Sequence, residues 1–213
     1  MAPWFKAIIA TAALAGCAPL TAEEPLFSPA DQLGPAPLTE GVWIQIGEDC
    51  PARMARRRGR LPAACAPGEL RRLLDGAWQF HVRTPARTGA AEPERDEVMR
   101  LVLAAATERP NAETYAPLYL AEYLQEAEPR GPRYLAIAPI GVLPATEIYV
   151  VALDCGDVLR DGPIAGVREV RDETGKIVSC IAASQAAVRE AARRAIIENL
   201  GQVDETRLMF VRP

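Results

Sequence analysis

The sequence predicts an α+β domain: a mostly antiparallel β-sheet with one amphipathic helix in the carboxy-terminal half, at about 184–200, and a final strand. Three observations predict it. Several segments are dense in β-branched and aromatic residues, some with strict alternation, as a pleated half-buried surface requires. Turn-forming Pro and Gly clusters separate them at short spacing, which suits antiparallel connections. Only one long stretch carries a helical apolar period with caps at both ends.

The elements follow in chain order. Val42-Trp43-Ile44-Gln45-Ile46 is β-branched and aromatic and reads as a strand. Residues 77–83 (AWQFHVR) alternate, with Trp78, Phe80 and Val82 to one side and Gln79, His81 and Arg83 to the other. Residues 84–97 form a polar loop. Residues 98–106 (VMRLVLAAA) are an apolar run whose Val98, Leu101, Val102 and Ala105 fit a helix as well as a strand. Residues 118–127 and 133–140 flank the turn sequence EPRGP and read as a hairpin, although Tyr115, Tyr119 and Tyr123 at four-residue spacing also suit a helix face. Ile148 to Leu153 is a buried strand, and 167–182 a second hairpin around Asp172-Glu173-Thr174-Gly175. In the helix, Val188, Ala191, Ala192, Ala195, Ile196 and Leu200 share a face, with Ser184 capping the start and Gly201 the end. Leu208 to Val211 is the final strand.

The 213 residues are 49% hydrophobic and 24% charged, enough apolar content for a core, so a disordered chain is excluded. A net charge of -4 gives no general attraction to nucleic acid. The first residues, MAPWFKAIIATAALAGC, have a charged start at Lys6 and an apolar run from Ala7 to Leu14, too short to span a bilayer. Leu14-Ala15-Gly16-Cys17 resembles the lipobox of bacterial lipoprotein precursors. The resemblance implies a diacylglyceryl thioether on Cys17, cleavage before it, and acylation of the new amino group, as by palmitate. Residue 18 is alanine; in enteric bacteria an aspartate there resembles an inner-membrane retention signal, so its absence points to the outer membrane, facing the periplasm. The domain organisation expected is a cleaved signal peptide at 1–16, a Pro-rich tether at 17–40 holding five prolines, and a single disulfide-stapled globular domain at 41–213.

Five cysteines are an odd count for an exported protein. Setting Cys17 aside for the lipid leaves Cys50, Cys65, Cys155 and Cys180, which an oxidising compartment should join in two disulfides. Three pairings exist; Cys50–Cys65, bracketing an Arg/Pro/Gly loop, and Cys155–Cys180, joining a strand end to the segment before the helix, are favoured. The cysteines lack the close spacing of a zinc site, and no metal or cofactor is predicted.

His81 is the only histidine, so any histidine-dependent triad must use it, yet the alternation puts it on the polar face of its strand. The sequence has no nucleophile elbow, no H-E-x-x-H and no phosphate-cradling loop, and no catalytic residue is assigned. The densest charge feature is Arg53, Arg56, Arg57, Arg58 and Arg60, free of intervening acids and suited to phosphates and carboxylates. The second half is similar to small Gram-negative lipoproteins through RYLAIAP (133–139), IYVVALDC (148–155) and CIAASQAAVREAARRA (180–195); the resemblance spans about 118–213 and implies no activity. The expectation is a lipid-anchored envelope lipoprotein with a non-catalytic structural or partner-binding domain, its partners the membrane through Cys17 and an envelope protein or anionic lipid. The alternatives are a small periplasmic hydrolase and a carrier of an apolar ligand.

Overall fold

The computed structural model describes residues 18–32, 36–47, 50–54, 61, 65, 67–84, 95–105, 118–125, 131–199 and 207–211. Eleven strands and two helices occur among them. Eight strands close into a barrel: β2 (Gly41–Gln45), β3 (Pro67–Arg72), β4 (Trp78–Thr84), β5 (Arg95–Ala105), β6 (Tyr119–Gln125), β7 (Arg133–Pro139), β8 (Glu147–Ala152) and β11 (Arg207–Phe210). Each pairs antiparallel with the next, and β11 closes the ring by pairing with both β8 and β2, Phe210 standing opposite Trp43. The chain therefore meanders up and down, interrupted once before the last strand.

The α+β expectation is corrected by this closure. The sheet is not an open layer with a helix laid on it but a closed antiparallel barrel. Closure satisfies the edge strands that an open sheet would leave exposed. The interruption supplies the rest of the fold. After β8 come α1 (Cys155–Val158), β9 (Val167–Arg171), β10 (Ile177–Ala182) and α2 (Gln185–Asn199). The short β1 (Leu20–Thr21) runs parallel to β10 and antiparallel to β7, so a small three-stranded leaf hangs from the barrel wall.

Two cores result, one on each side of that wall. Inside, alternate residues of all eight strands meet, led by Trp43, Trp78, Phe80, Met99, Leu103 and Tyr119. Outside, Val102, Leu120, Tyr134, Ala136 and Val151 pack beneath α2, whose Ala187, Val188, Ala191, Ala192 and Ala195 form its buried stripe. The alanines let the helix sit close on the strands, where larger side chains would hold it off. A third, smaller cluster joins Ile44, Ile46 and Met209 to the disulfide Cys50–Cys65. The second bridge joins Cys155 at the start of α1 to Cys180 in β10, with Cα atoms 5.8 Å apart. These are the two pairings favoured from the sequence.

The stretch at 17–40, expected to be a tether, is seated on the domain in its described part. Leu20, Ala22, Phe27 and Leu38 are buried, and β1 lies inside the leaf between β7 and β10.

Candidate functional site

The amino-terminal strap and the barrel it crosses form the most organised polar arrangement described. Glu122 stands on the outer face of β6, between the inward Ala121 and Tyr123. It is 3% exposed. Its Oε2 accepts the backbone N–H of Leu26 at 2.7 Å, that of Phe27 at 3.2 Å, and the hydroxyl of Tyr134 on β7 at 3.0 Å. Burial pushes the Glu122 carboxyl above the ordinary range, and the three hydrogen bonds oppose that push. Burial first, and then the neighbouring carboxylate, raise the Tyr134 hydroxyl. This is a clamp on the protein's own backbone: the donors converge on one oxygen and leave it committed.

Helix α2 fixes the strap from the other side. Gln185 Nε2 donates to Leu26 O at 2.7 Å and to Asp31 Oδ1 at 3.3 Å, and the Arg189 guanidinium lies 5.4 Å from the centre of the Phe27 ring. Phe27 in turn meets Tyr134 edge-to-face at 6.2 Å. Asp31 closes the turn Pro29–Asp31 by accepting Ser28 N–H at 2.8 Å, a contact that heads the causes lowering its pKa.

In its described part beyond Asp31 the strap lies at the barrel end of the β3–β4 and β7–β8 connections, and plugs it. Trp78 Nε1 donates to Gln32 Oε1 at 3.3 Å, and Trp43 Nε1 to Thr39 O at 2.9 Å. Ala145, from the β7–β8 connection, donates its N–H to Pro37 O, and its carbonyl accepts the Thr39 hydroxyl. Leu38 and Ala145 both join the interior cluster. Trp78 is fully buried beneath them. Toward the opposite end the inward face becomes polar. Arg133, sharing the parity of Leu135 and Ile137, stands opposite Tyr123. Both are buried and both are engaged with partners. Ala152, paired with the inward Leu135, is exposed there.

Of the non-cysteine residues singled out from sequence, only His81 and Arg53 fall among the described ones. His81 lies in β4 opposite Glu69 of β3 and Val98 of β5, out of phase with the inward Phe80, so it belongs to the outer wall. Arg53 is exposed in the turn after Cys50; Arg56, Arg57, Arg58 and Arg60 lie outside the described residues, as does Cys17. Among the described residues no group of His, Cys, Asp and Glu is placed to hold a metal ion, and no helix is long and apolar enough to cross a membrane. The outward positions of β3 and β4 (Glu69, Arg71, Gln79) are polar, the inverse of the apolar outer band of a membrane-spanning barrel.

No protein-family model matches the chain, and comparison with curated proteins and with solved structures gives no match. The arrangement must therefore be read from its own chemistry. Glu122 and Tyr134 were not picked out from sequence, though a signal was there: one carboxylate inside the otherwise apolar run LYLAEYL. A carboxylate at such a position must find donors, and donors are what the strap brings.

Proposed function

We propose that this chain is a lipid-anchored protein of the cell envelope, acylated on Cys17 and held at the outer membrane facing the periplasm, whose barrel domain acts by structure or partner binding and not by catalysis. One observation carries the reading of the domain: the plugged half of the barrel is filled by its own side chains. Trp43, Trp78, Met99 and Leu103 point inward and are each 2% exposed or less, and the strap plugs the end above them. An eight-stranded barrel has room for side chains or for one small ligand; here the plugged half is occupied by side chains, which leaves the outer surface and the far rim to meet a partner. The Arg53–Arg60 stretch supplies cationic charge suited to an anionic one.

The carrier alternative keeps one supporting observation, the exposed inward Ala152 at the unplugged end. A short apolar group entering there would lie over Val150 and Leu208 and leave its polar end beside Arg133.

The test has two parts. Cells fed an alkyne-bearing fatty acid should label the wild-type chain and retain it in the outer-membrane fraction. The Cys17→Ser variant should lose both the label and the retention; a variant that kept both would end the lipoprotein reading. Native mass spectrometry of the gently extracted protein should show the mass of the acylated chain with nothing further bound. A stoichiometric apolar adduct would transfer the case to the carrier.

A further inference from the structure

The leaf containing β1 fixes where the anchor must lie. Ala18, the residue after Cys17, is already built into the fold: it is 9% exposed, and its carbonyl accepts Cys155 N–H at 2.8 Å. Pro19 O accepts Cys180 N–H at 3.0 Å, and Leu20 N–H donates to Leu153 O at 2.8 Å. Leu20 is fully buried. The chain is thus held between the start of α1 and β10 from its first described residue. Consecutive Cα atoms are about 3.8 Å apart, so the thioether of a lipid on Cys17 begins within one residue of the sheet. A free spacer over residues 18–40 would instead reach about 70 Å in extended polyproline form.

The geometry points to a domain seated directly on the bilayer that holds its anchor, with the surface around Ala18 turned to the lipid headgroups. This rests on the acylation of Cys17 proposed above and adds the contact surface. Because β1 runs parallel to β10, Val178, two residues before Cys180 at an irregularity in the β9–β10 pairing, lies toward the end of the leaf from which the chain enters through Ala18. Val178 is 44% exposed and one of four exposed large apolar side chains among the described residues. On the other side of Ala18 lies the start of α1, where Arg160 is paired with Asp157. The β9–β10 hairpin brings Lys176 together with Asp172 and Glu173, and Arg171 is paired with Glu169. The charges are mixed and mostly paired. The contact is therefore imposed by the short covalent link and filled by an apolar side chain, not drawn by a basic patch. It also puts the disulfide Cys155–Cys180 next to the point where the membrane pulls on the chain, so the bridge ties the start of α1 to β10, the two segments that hold Ala18 and Pro19, at the loaded site.

The test uses the acylated full-length protein in vesicles of phosphatidylethanolamine and phosphatidylglycerol doped with headgroup-nitroxide lipid. A fluorescent amino acid is incorporated at Val178, or in a second preparation at Leu74. Leu74 is fully exposed in the turn between β3 and β4, at the barrel end remote from the β8–α1 junction. Quenching should be several-fold stronger at 178 than at 74. It should fall to the level of 74 when a long Gly-Ser spacer is inserted between Cys17 and Ala18. Acylation of every preparation is checked by fatty-acid labelling. An unlabelled protein would overturn the lipoprotein reading itself. A labelled protein quenched equally at both sites, or one whose quenching at 178 survives the spacer, would overturn the seating.

Discussion

At Glu122 a single side chain decides whether the strap stays on the barrel. Replacing it with alanine leaves two backbone N–H groups and the Tyr134 hydroxyl without their acceptor, at a cost of about 2–3 kcal/mol. The urea midpoint of Glu122→Ala should fall accordingly; an unchanged midpoint would show that water replaces the carboxylate without loss. The pH dependence has a definite sign. Because burial raises the folded value above the ordinary 4.5, the native state holds the Glu122 proton more tightly than the unfolded chain. Its contribution is present at low pH and is lost as pH rises through the raised value. The stability of wild type relative to Glu122→Gln should therefore fall as pH rises from about 4.5 toward neutrality, and a relative rise would contradict the shift. Glu190 behaves oppositely. Hydrogen bonds from Arg193 and then Arg194 hold it down at about 2, so its small, solvent-screened contribution is present above the ordinary value and lost as pH falls toward about 2. Gly68 carries a different constraint. The Phe80 ring lies over it inside the barrel, where a Cβ would collide. Gly68→Ala should cost roughly 1–3 kcal/mol by overpacking, and much of that should return in the double variant with Phe80→Leu, read as a coupling energy by thermal unfolding.

Among the elements, legibility followed how many faces each one buries. Strand β4 keeps a polar outer face at Gln79 and His81, so its alternation was plain in the sequence. Strand β5 from Leu101 onward, together with β6 and β7, is covered inside by the barrel core and outside by α2 and the strap. Their sequences are nearly continuous apolar runs, and a helix fitted 98–106 and 115–123 as well as a strand did, because period disappears when both faces are buried. Strand β3 (PGELRR) went unread: Pro, Gly and three charges disfavour a strand, and only its neighbours β2 and β4 make it one. Strand β1, only two residues long and directly after Pro19, offers no local pattern at all. The Cys155–Cys180 bridge holds that leaf. Closing a separation of 25 residues, it should contribute about 3 kcal/mol. The double variant Cys155→Ala, Cys180→Ala should lose that much and be cleaved faster by protease within residues 18–27; unchanged cleavage would place the strap's hold entirely at Glu122 and α2.

For the whole molecule, the seam between β2 and β11 is the decisive contact. It joins Trp43 to Phe210 across nearly the full chain, their rings 6.0 Å apart in an edge arrangement. Closure of so long a loop must precede the gain from pairing, so folding should be slow compared with a helical protein of this size. If the seam is an integral part of the native core, the amides of Leu208, Met209 and Phe210 should exchange with deuterium as slowly as those in the middle of β5. Exchange several orders of magnitude faster would mean that the barrel opens at that edge without global unfolding.

The sequence by itself determined what is local: the alternating strand read at 77–83 and observed as Trp78–Thr84, the paired strands on either side of Gly131-Pro132, the helix that begins after Ser184, and four cysteines that join in two short bridges. Each of these depends on residues within a turn or a loop of one another. Tertiary structure alone decided that the strands close into a barrel, that residues 18–32 are part of the domain, and that Glu122 is a clamp. Each of those depends on partners far away in the chain. Hydrogen-bond donors at Leu26 and Phe27 carry no mark in the sequence to show that they will meet a carboxylate almost a hundred residues later, and a sheet's last strand carries none to show that its free edge will find the first.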